Sequence, residues 1–144
     1  MNNPGVYKLF VYGSLRSGFR SPAYEYVSSF FTFEGDAKVQ GKLYHLGSHS
    51  AAIPGSENSF IIGELYHINN VNEFSWAMGQ LDDYEGVIGD ADEAQLYRRE
   101  ITEVYLGNQV THAWIYWYNG DVQGKPLIAS GDLLQYLQQK NNAE

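Results

Sequence analysis

The chain has 144 residues, 44% of them hydrophobic and 15% aromatic, with a formal net charge of −8 and no cysteine. That length can bury a core without metals or crosslinks and fits one domain over residues 1–144, while the missing thiols exclude disulfides, thiolate nucleophiles and cysteine zinc sites. The acidic balance argues against a nucleic-acid partner, no apolar run approaches membrane-spanning length and no basic segment precedes one, so a soluble, cytoplasmic protein is expected.

Residues 6–12 read as a first strand, rich in Val, Tyr and Phe and stopped by Gly13. Residues 14–22, with Arg16, Gly18, Arg20 and Pro22, read as a loop. Residues 23–31 admit two readings: Tyr24, Val27 and Phe31 can share a helical face, whereas the aromatic stretch 28–33 suits a strand. Two extended segments follow, 38–46 and 60–68, with Gly41 and Gly63 inside them as candidate bulges or barrel corners. Between them, residues 47–59 hold Ile53-Pro54-Gly55 and read as a turn.

Asn70 is a good N-cap, with Glu73 three residues on, for a helix whose Val71, Phe74, Met78 and Leu81 share one face. This helix carries Asp82, Asp83 and Glu85 to its C-terminal end. After an acidic loop with Asp90, Asp92 and Glu93, residues 96–106 and 109–118 form a hairpin around Gly107-Asn108, a two-residue turn with glycine first. In its second strand Val110, His112, Trp114, Tyr116 and Tyr118 fall on one face, and Ala113, Ile115 and Trp117 on the other. Both faces are largely apolar, which places that strand centrally. Residues 130–140 read as a C-terminal helix. The expected fold class is α+β: a small, strongly bent mixed sheet or barrel with a few short helices.

Two constellations carry chemistry. In Tyr12-Gly13-Ser14-Leu15, after the first strand, Gly13 permits a sharp turn and close approach of a ligand to the backbone, and successive N–H groups there can cradle an anion. Gly13 and Gly18 have the spacing of a phosphate loop, but Phe19 stands where that loop needs lysine and Arg20 where it needs Ser or Thr, so a nucleotide is not expected. A plain glycine turn is the alternative. The second constellation is Asp82, Asp83 and Glu85, at the helix end that disfavours anions. Exposed charges on a frayed end would explain them. A calcium site with Asp90, Asp92 and Glu93 is a third reading, although the ligand alternation and glycine of an EF-hand loop are missing. A glutamate between Tyr84 and Gly86 can also be partly desolvated, which tunes it for general-base work. His45, His49, His67 and His112 are too scattered to specify a metal site. No Gly-x-Ser-x-Gly elbow occurs, and Ser14 has no evident histidine partner.

The ordered set Tyr12-Gly13-Ser14-Leu15, Gly41-Lys42-Leu43-Tyr44, Gly63-Glu64-Leu65-Tyr66, Leu81-Asp82-x-Tyr84-Glu85-Gly86 and Tyr97-Arg98, followed by the strand at 113–116 and by Ser130-Gly131-Asp132, resembles the gamma-glutamylcyclotransferase-like family over most of the chain. The resemblance implies a small bent-sheet or barrel domain acting on a small-molecule γ-glutamyl substrate with no cofactor and no metal. In such enzymes the substrate's own α-amino group attacks its γ-amide carbonyl, releasing 5-oxoproline and an amine or amino acid. Carried onto this chain, Glu85 holds the catalytic acid/base position, and Tyr12, Gly13, Ser14 and Leu15 form the loop that binds the glutamyl head group. Tyr118, or Tyr116 on the same strand face, is the candidate pocket tyrosine. Tyr97 and Arg98 suit structural roles equally well, with Arg98 pairing to a carboxylate of the acidic loop.

Where relatives carry a polar Gly-x-x-Asn-like continuation, this chain has Gly18-Phe19-Arg20-Ser21-Pro22, a departure that bears on substrate orientation. Arg16 and Arg20 either favour a substrate with an extra carboxylate or are solvated loop residues. Two other readings stay open: a module that binds a small metabolite in the same pocket without turnover, and a different acid/base reaction on an acyl-amine. The amine half of the substrate and the oligomeric state are not written in these residues.

Overall fold

Five strands close into a mixed barrel in the structure, a computed structural model that describes residues 6–13, 22–46, 50–55, 59–85 and 97–142, without the side chains of 22–24, 83–85, 134 and 139–142. In chain order the elements are β1 (Lys8–Val11), α1 (Pro22–Phe30), β2 (Phe31–Gln40), β3 (Lys42–His45), β4 (Ser50–Ile53), β5 (Phe60–Ile68), α2 (Phe74–Glu85), β6 (Tyr97–Leu106), β7 (Gln109–Tyr118) and α3 (Leu133–Asn142). The barrel runs β1-β5-β2-β6-β7. Its pairs are antiparallel except at the seam, where β1 meets β7 in parallel through Leu9 and Trp114. Closure leaves β7 without a free edge, as its two apolar faces require. Among the described residues no helix is long and apolar enough to cross a membrane.

The ambiguous stretch 23–31 is a helix followed by a strand. Pro22 suits the first turn, where its missing N–H costs nothing, and Val27 is fully buried. The segment 38–46 is not one strand. It divides at Gly41, whose N–H donates to the Ser59 carbonyl at 3.0 Å as the chain leaves the barrel. Beyond this corner β3 pairs with β4 in a separate two-stranded ribbon, with Leu43 opposite Ala52 and His45 opposite Ser50. The turn expected at 47–59 therefore contains a strand. Ser50-Ala51-Ala52 lacks the β-branched and aromatic residues that mark strands, and pairing with β3 overrides that weak preference.

Asn70 does cap, its Oδ1 accepting the Asn72 N–H at 3.0 Å, but it opens a 3-10 turn over Val71–Glu73 before α2 begins. The tighter winding turns Val71 off the apolar face, and it is exposed, while Phe74, Ala77, Met78 and Leu81 are buried. At the other end of the chain α3 starts at Leu133 rather than 130. Gly131 sits at φ +73°, outside helical backbone, and Asp132 Oδ1 accepts the Gln135 N–H at 3.1 Å as the cap.

Alternation along the strands divides the core in two. Leu9, Val11, Tyr66, Ile68, Tyr97 and Tyr116 join Val27 of α1 and Leu81 and Met78 of α2 on one side of the sheet. Phe10, Val39, Ile61, Leu65 and Ile115 join Leu43, Ala52 and Leu133 on the other. Helices cannot fit inside a five-stranded barrel, so the first cluster is its outer face under α1 and α2. Phe31 and Val39 have the same parity in β2 yet belong to opposite faces. A bulge reconciles them: the register with β5 slips between Phe33 and Gly35, leaving Glu34 unpaired. Glu34 is thereby aimed at β1 and β5, where it accepts from His67 Nδ1 at 3.1 Å and Lys8 Nζ at 3.4 Å.

Gly63, a candidate bulge by sequence, lies in unbroken register with Ala37. Its reason is close approach: a methyl group there would stand 2.1 Å from the Val11 carbonyl oxygen. Gly63→Ala must separate β1 from β5 and is expected to cost about 3 kcal/mol, at the upper end of overpacking, as a fall in the denaturant midpoint. The opposite sign is expected on α1. The Tyr26 ring packs on Phe30 with centroids 4.9 Å apart, but its buried hydroxyl has no hydrogen-bond partner. The same burial pushes its ionisation above the ordinary phenol value of 10.0. Tyr26→Phe removes an unsatisfied donor and is expected to leave stability unchanged or raise it by about 1 kcal/mol, read from the same titration.

Candidate active site

Arg99 of β6 and Tyr116 of β7 are cross-strand partners, so their side chains leave the barrel on the same outer face, beneath α2. Both reach Asp82. Arg99 Nε donates to Asp82 Oδ1 at 2.7 Å and Nη2 to Oδ2 at 2.9 Å, while the Tyr116 hydroxyl donates to Oδ1 at 2.9 Å. The guanidinium also lies 4.6 Å from the Trp114 ring centroid, two residues before Tyr116 on the same face. With its side chain 7% exposed, Asp82 is not one of several solvated charges on a frayed end. It is a buried anchor, and the bidentate arginine offsets the unfavourable helix end.

Tyr12 enters the same network. Its hydroxyl donates to the Tyr116 carbonyl at 2.5 Å, so Tyr116 is held at its backbone by the first motif and joined through its hydroxyl to the second. The route Tyr12–Tyr116–Asp82 thus joins the turn after β1 to the last turn of α2, two segments far apart in the chain. Glu85 is the final residue of α2, three positions beyond Asp82. Its side chain lies outside the described residues, as do Ser14 and Leu15, Arg16 and Arg20, His49, and the acidic loop with Asp90, Asp92 and Glu93.

Tyr97 and Tyr118 form the next cross-strand pair on this face, their ring centroids 5.5 Å apart. The Tyr97 hydroxyl donates to the Ser50 carbonyl at 2.6 Å, tying β4 to the hairpin. Ser50 in turn flanks Gly13: a methyl group on that glycine would stand 3.0 Å from Ser50 Oγ. Of the two candidate pocket tyrosines, Tyr116 is 3% exposed and bonded to Asp82, while Tyr118 is half-buried beside Tyr97. Arg98 has partners of its own, while the acidic loop expected to pair with it lies outside the described residues. Arg98 donates to Glu100 on its own strand at 3.0 Å and to Asn119 Oδ1 at 3.0 Å, because residues 98 and 100 share the face opposite Arg99 and turn away from α2. Among the described residues no group of three or more His, Asp or Glu side chains could hold a metal ion. His45 stacks on Tyr136 and His67 pairs with Glu34.

Three residues of this neighbourhood escaped the sequence reading: Asp82 as an anchor, Arg99 and Ser50. Arg99 carried a usable signal. In the hairpin register it shares a face with Tyr116 and Trp114, an apolar surface that a helix would cover, and an arginine there demands an acidic partner.

Residues 9–135 match the sequence profile of the family described as gamma-glutamyl cyclotransferase, AIG2-like. The chain is 31% identical over 128 residues to the gamma-glutamylcyclotransferase family protein YtfP of Escherichia coli strain K12, covering 88% of this chain and 96% of that one. The solution structure of ytfP from Escherichia coli has the same fold, with a TM-score of 0.60 at 29% identity over 90% of this chain and 97% of that one. Over 115 residues the chain is 28% identical to the gamma-L-glutamyl-butirosin B gamma-glutamyl cyclotransferase of Niallia circulans, covering 78% of this chain and 67% of the relative. YkqA from Bacillus subtilis shares the fold with a TM-score of 0.70 at 21% identity, over 94% of this chain and 42% of the longer YkqA chain. The matched span and the barrel agree: this chain belongs to the gamma-glutamyl cyclotransferase, AIG2-like family.

Proposed function

We propose that the protein is a γ-glutamyl cyclotransferase that releases 5-oxoproline and a free amine or amino acid, with Glu85 as general acid and base. The observation that carries this reading is the bonded route from Tyr12 through Tyr116 to Asp82, which couples the glycine turn to the helix end bearing Glu85. The family supports the reaction class. The Niallia circulans relative is named for a γ-L-glutamyl group on butirosin B, which favours γ-glutamyl amines, beside γ-glutamyl amino acids, as the substrates to try first.

The reaction needs little more than folding and proton transfer. At neutral pH the α-amine of the substrate is mostly an ammonium, and Glu85 removes its proton. The freed nitrogen attacks the γ-carbonyl carbon, forming the ring C–N bond and a tetrahedral oxyanion. Glu85 then returns the proton to the leaving nitrogen as the old C–N bond breaks, and the second proton lost by the ring nitrogen ends on the released amine, which departs as an ammonium. Protons balance over the cycle, and no redox partner or cofactor enters. Nucleophile and electrophile share one molecule, so holding the glutamyl chain bent supplies roughly 7–11 kcal/mol of the barrier. Backbone N–H groups of the Tyr12–Leu15 turn hold the α-carboxylate in this reading, and Tyr118 is the pocket tyrosine facing the substrate. A small-molecule substrate in the cytoplasm, and neither nucleic acid nor membrane, completes the proposal.

Mass spectrometry of 5-oxoproline released from a panel of γ-glutamyl amino acids, amines and isopeptides tests it directly. Release from at least one member is the expected result. A folded protein that releases none but binds a panel member would replace the enzyme with a binding module, and a different product would mean another acid/base reaction.

A further inference from the structure

Ser50 begins β4 and is 6% exposed, one of the few polar residues in the described core. Its backbone is fixed from two sides. It pairs with His45 across the ribbon, and its carbonyl accepts the Tyr97 hydroxyl at 2.6 Å. Its own hydroxyl makes no hydrogen bond among the described residues, although it sits beside Gly13 with Oγ 3.0 Å from the point a methyl group there would occupy. Nothing about the strand itself requires a hydroxyl, because Ala51 and Ala52, the next two residues, are completely buried as plain methyl groups. The hydroxyl is therefore open to a ligand, on a backbone fixed beside the glycine of the turn that the proposed function assigns to the glutamyl head group.

We propose that Ser50 is a substrate-binding residue: its hydroxyl donates a hydrogen bond to the α-carboxylate of the γ-glutamyl ligand, completing from β4 the anion site that the backbone at Gly13 begins. The inference rests on the cyclotransferase reading and adds a side chain from an element that reading does not use. A methyl group at position 13 would crowd this hydroxyl, standing 3.0 Å from Oγ. The hydroxyl neither moves a proton nor touches the scissile bond, so its contribution is to binding and orientation. The carboxylate is retained in 5-oxoproline, and substrate and product both use the contact.

The test is binding of 5-oxoproline and of its neutral counterpart 5-oxoprolinamide to the wild-type protein and to Ser50→Ala, by calorimetry, alongside the KM of an active panel substrate. The alanine keeps the backbone carbonyl that Tyr97 holds, and its melting temperature should match the wild type. A hydrogen bond to a charged group predicts roughly a 10- to 100-fold loss of 5-oxoproline affinity in Ser50→Ala, a similar rise in KM, little change in kcat, and no change toward the amide. Unchanged 5-oxoproline affinity would overturn the contact while leaving the cyclotransferase intact. Equal losses for acid and amide would also overturn it, because the pocket rather than the carboxylate contact would have changed. A wild-type protein that neither binds 5-oxoproline nor releases it from any substrate would overturn the underlying function, and the contact with it.

Discussion

Glu85→Gln is expected to lower the rate of 5-oxoproline release by about 10²–10⁴-fold, the usual contribution of a positioned proton-transfer group, with a melting temperature close to that of the wild type. Glutamine keeps the length and shape of the side chain but cannot accept the ammonium proton or hand one to the leaving nitrogen. The loss should fall on kcat, because the proposed site grips the head group elsewhere, at the Tyr12–Gly13 turn and Ser50. It should also grow with the pKa of the leaving amine, since a more basic leaving group depends more on receiving a proton before the bond breaks. A series of γ-glutamyl anilides and alkylamines measured with both proteins separates these effects. If Glu85→Gln retained wild-type rates across the series, the proton would be moved by another group and the assignment of Glu85 would fall. The position itself is consistent with a functional rather than a stabilising carboxylate: Glu85 closes α2, where the helix dipole disfavours an anion, and the bidentate arginine that offsets such a charge is committed to Asp82.

The parts of the fold legible in the sequence are those whose signal is local. Phe60–Ile68 and the β6–β7 hairpin announce themselves by apolar, aromatic and β-branched runs and by a glycine-first turn whose Gly107 takes φ +60°. α2 shows its buried face at Phe74, Met78 and Leu81. What was hidden depends on pairing. β4 is a strand because β3 lies beside it, and no residue of Ser50-Ala51-Ala52 advertises that. The bulge at Glu34 exists only relative to the register of β5. The candidate site divides the same way. The glycine turn and the acidic helix end could be picked out as motifs, and the order of motifs along the chain pointed to the family. The Asp82–Arg99–Tyr116 contact required knowing that α2 lies over β6 and β7. An aspartate at a helix end reads as solvated until its partner strand is known.

That contact carries the second large effect. Asp82→Ala leaves the Arg99 guanidinium, only 24% exposed, without its bidentate partner and strips the Tyr116 hydroxyl of an acceptor. Breaking a buried pair from one side typically costs 3–5 kcal/mol. The remaining solvent access of Arg99 places this one near the lower end, about 3 kcal/mol, or a fall in melting temperature of roughly 10 °C. Stability alone does not require the pair, since well-packed apolar replacements of buried ion pairs are often neutral. Asp82→Leu combined with Arg99→Met is therefore expected to recover most of the lost melting temperature. Activity should not recover with it. The clamp also fixes the last turn of α2 against β7 and, through Tyr116 and Tyr12, against the glycine turn, and a misplacement of about 1 Å at a reacting group can cost about 10²-fold in rate. The double variant should thus be stable, bind 5-oxoproline nearly as well as the wild type, and turn over about 10²-fold more slowly. A double variant both stable and fully active would show that the buried aspartate holds the helix to the barrel and does nothing for the chemistry at its end.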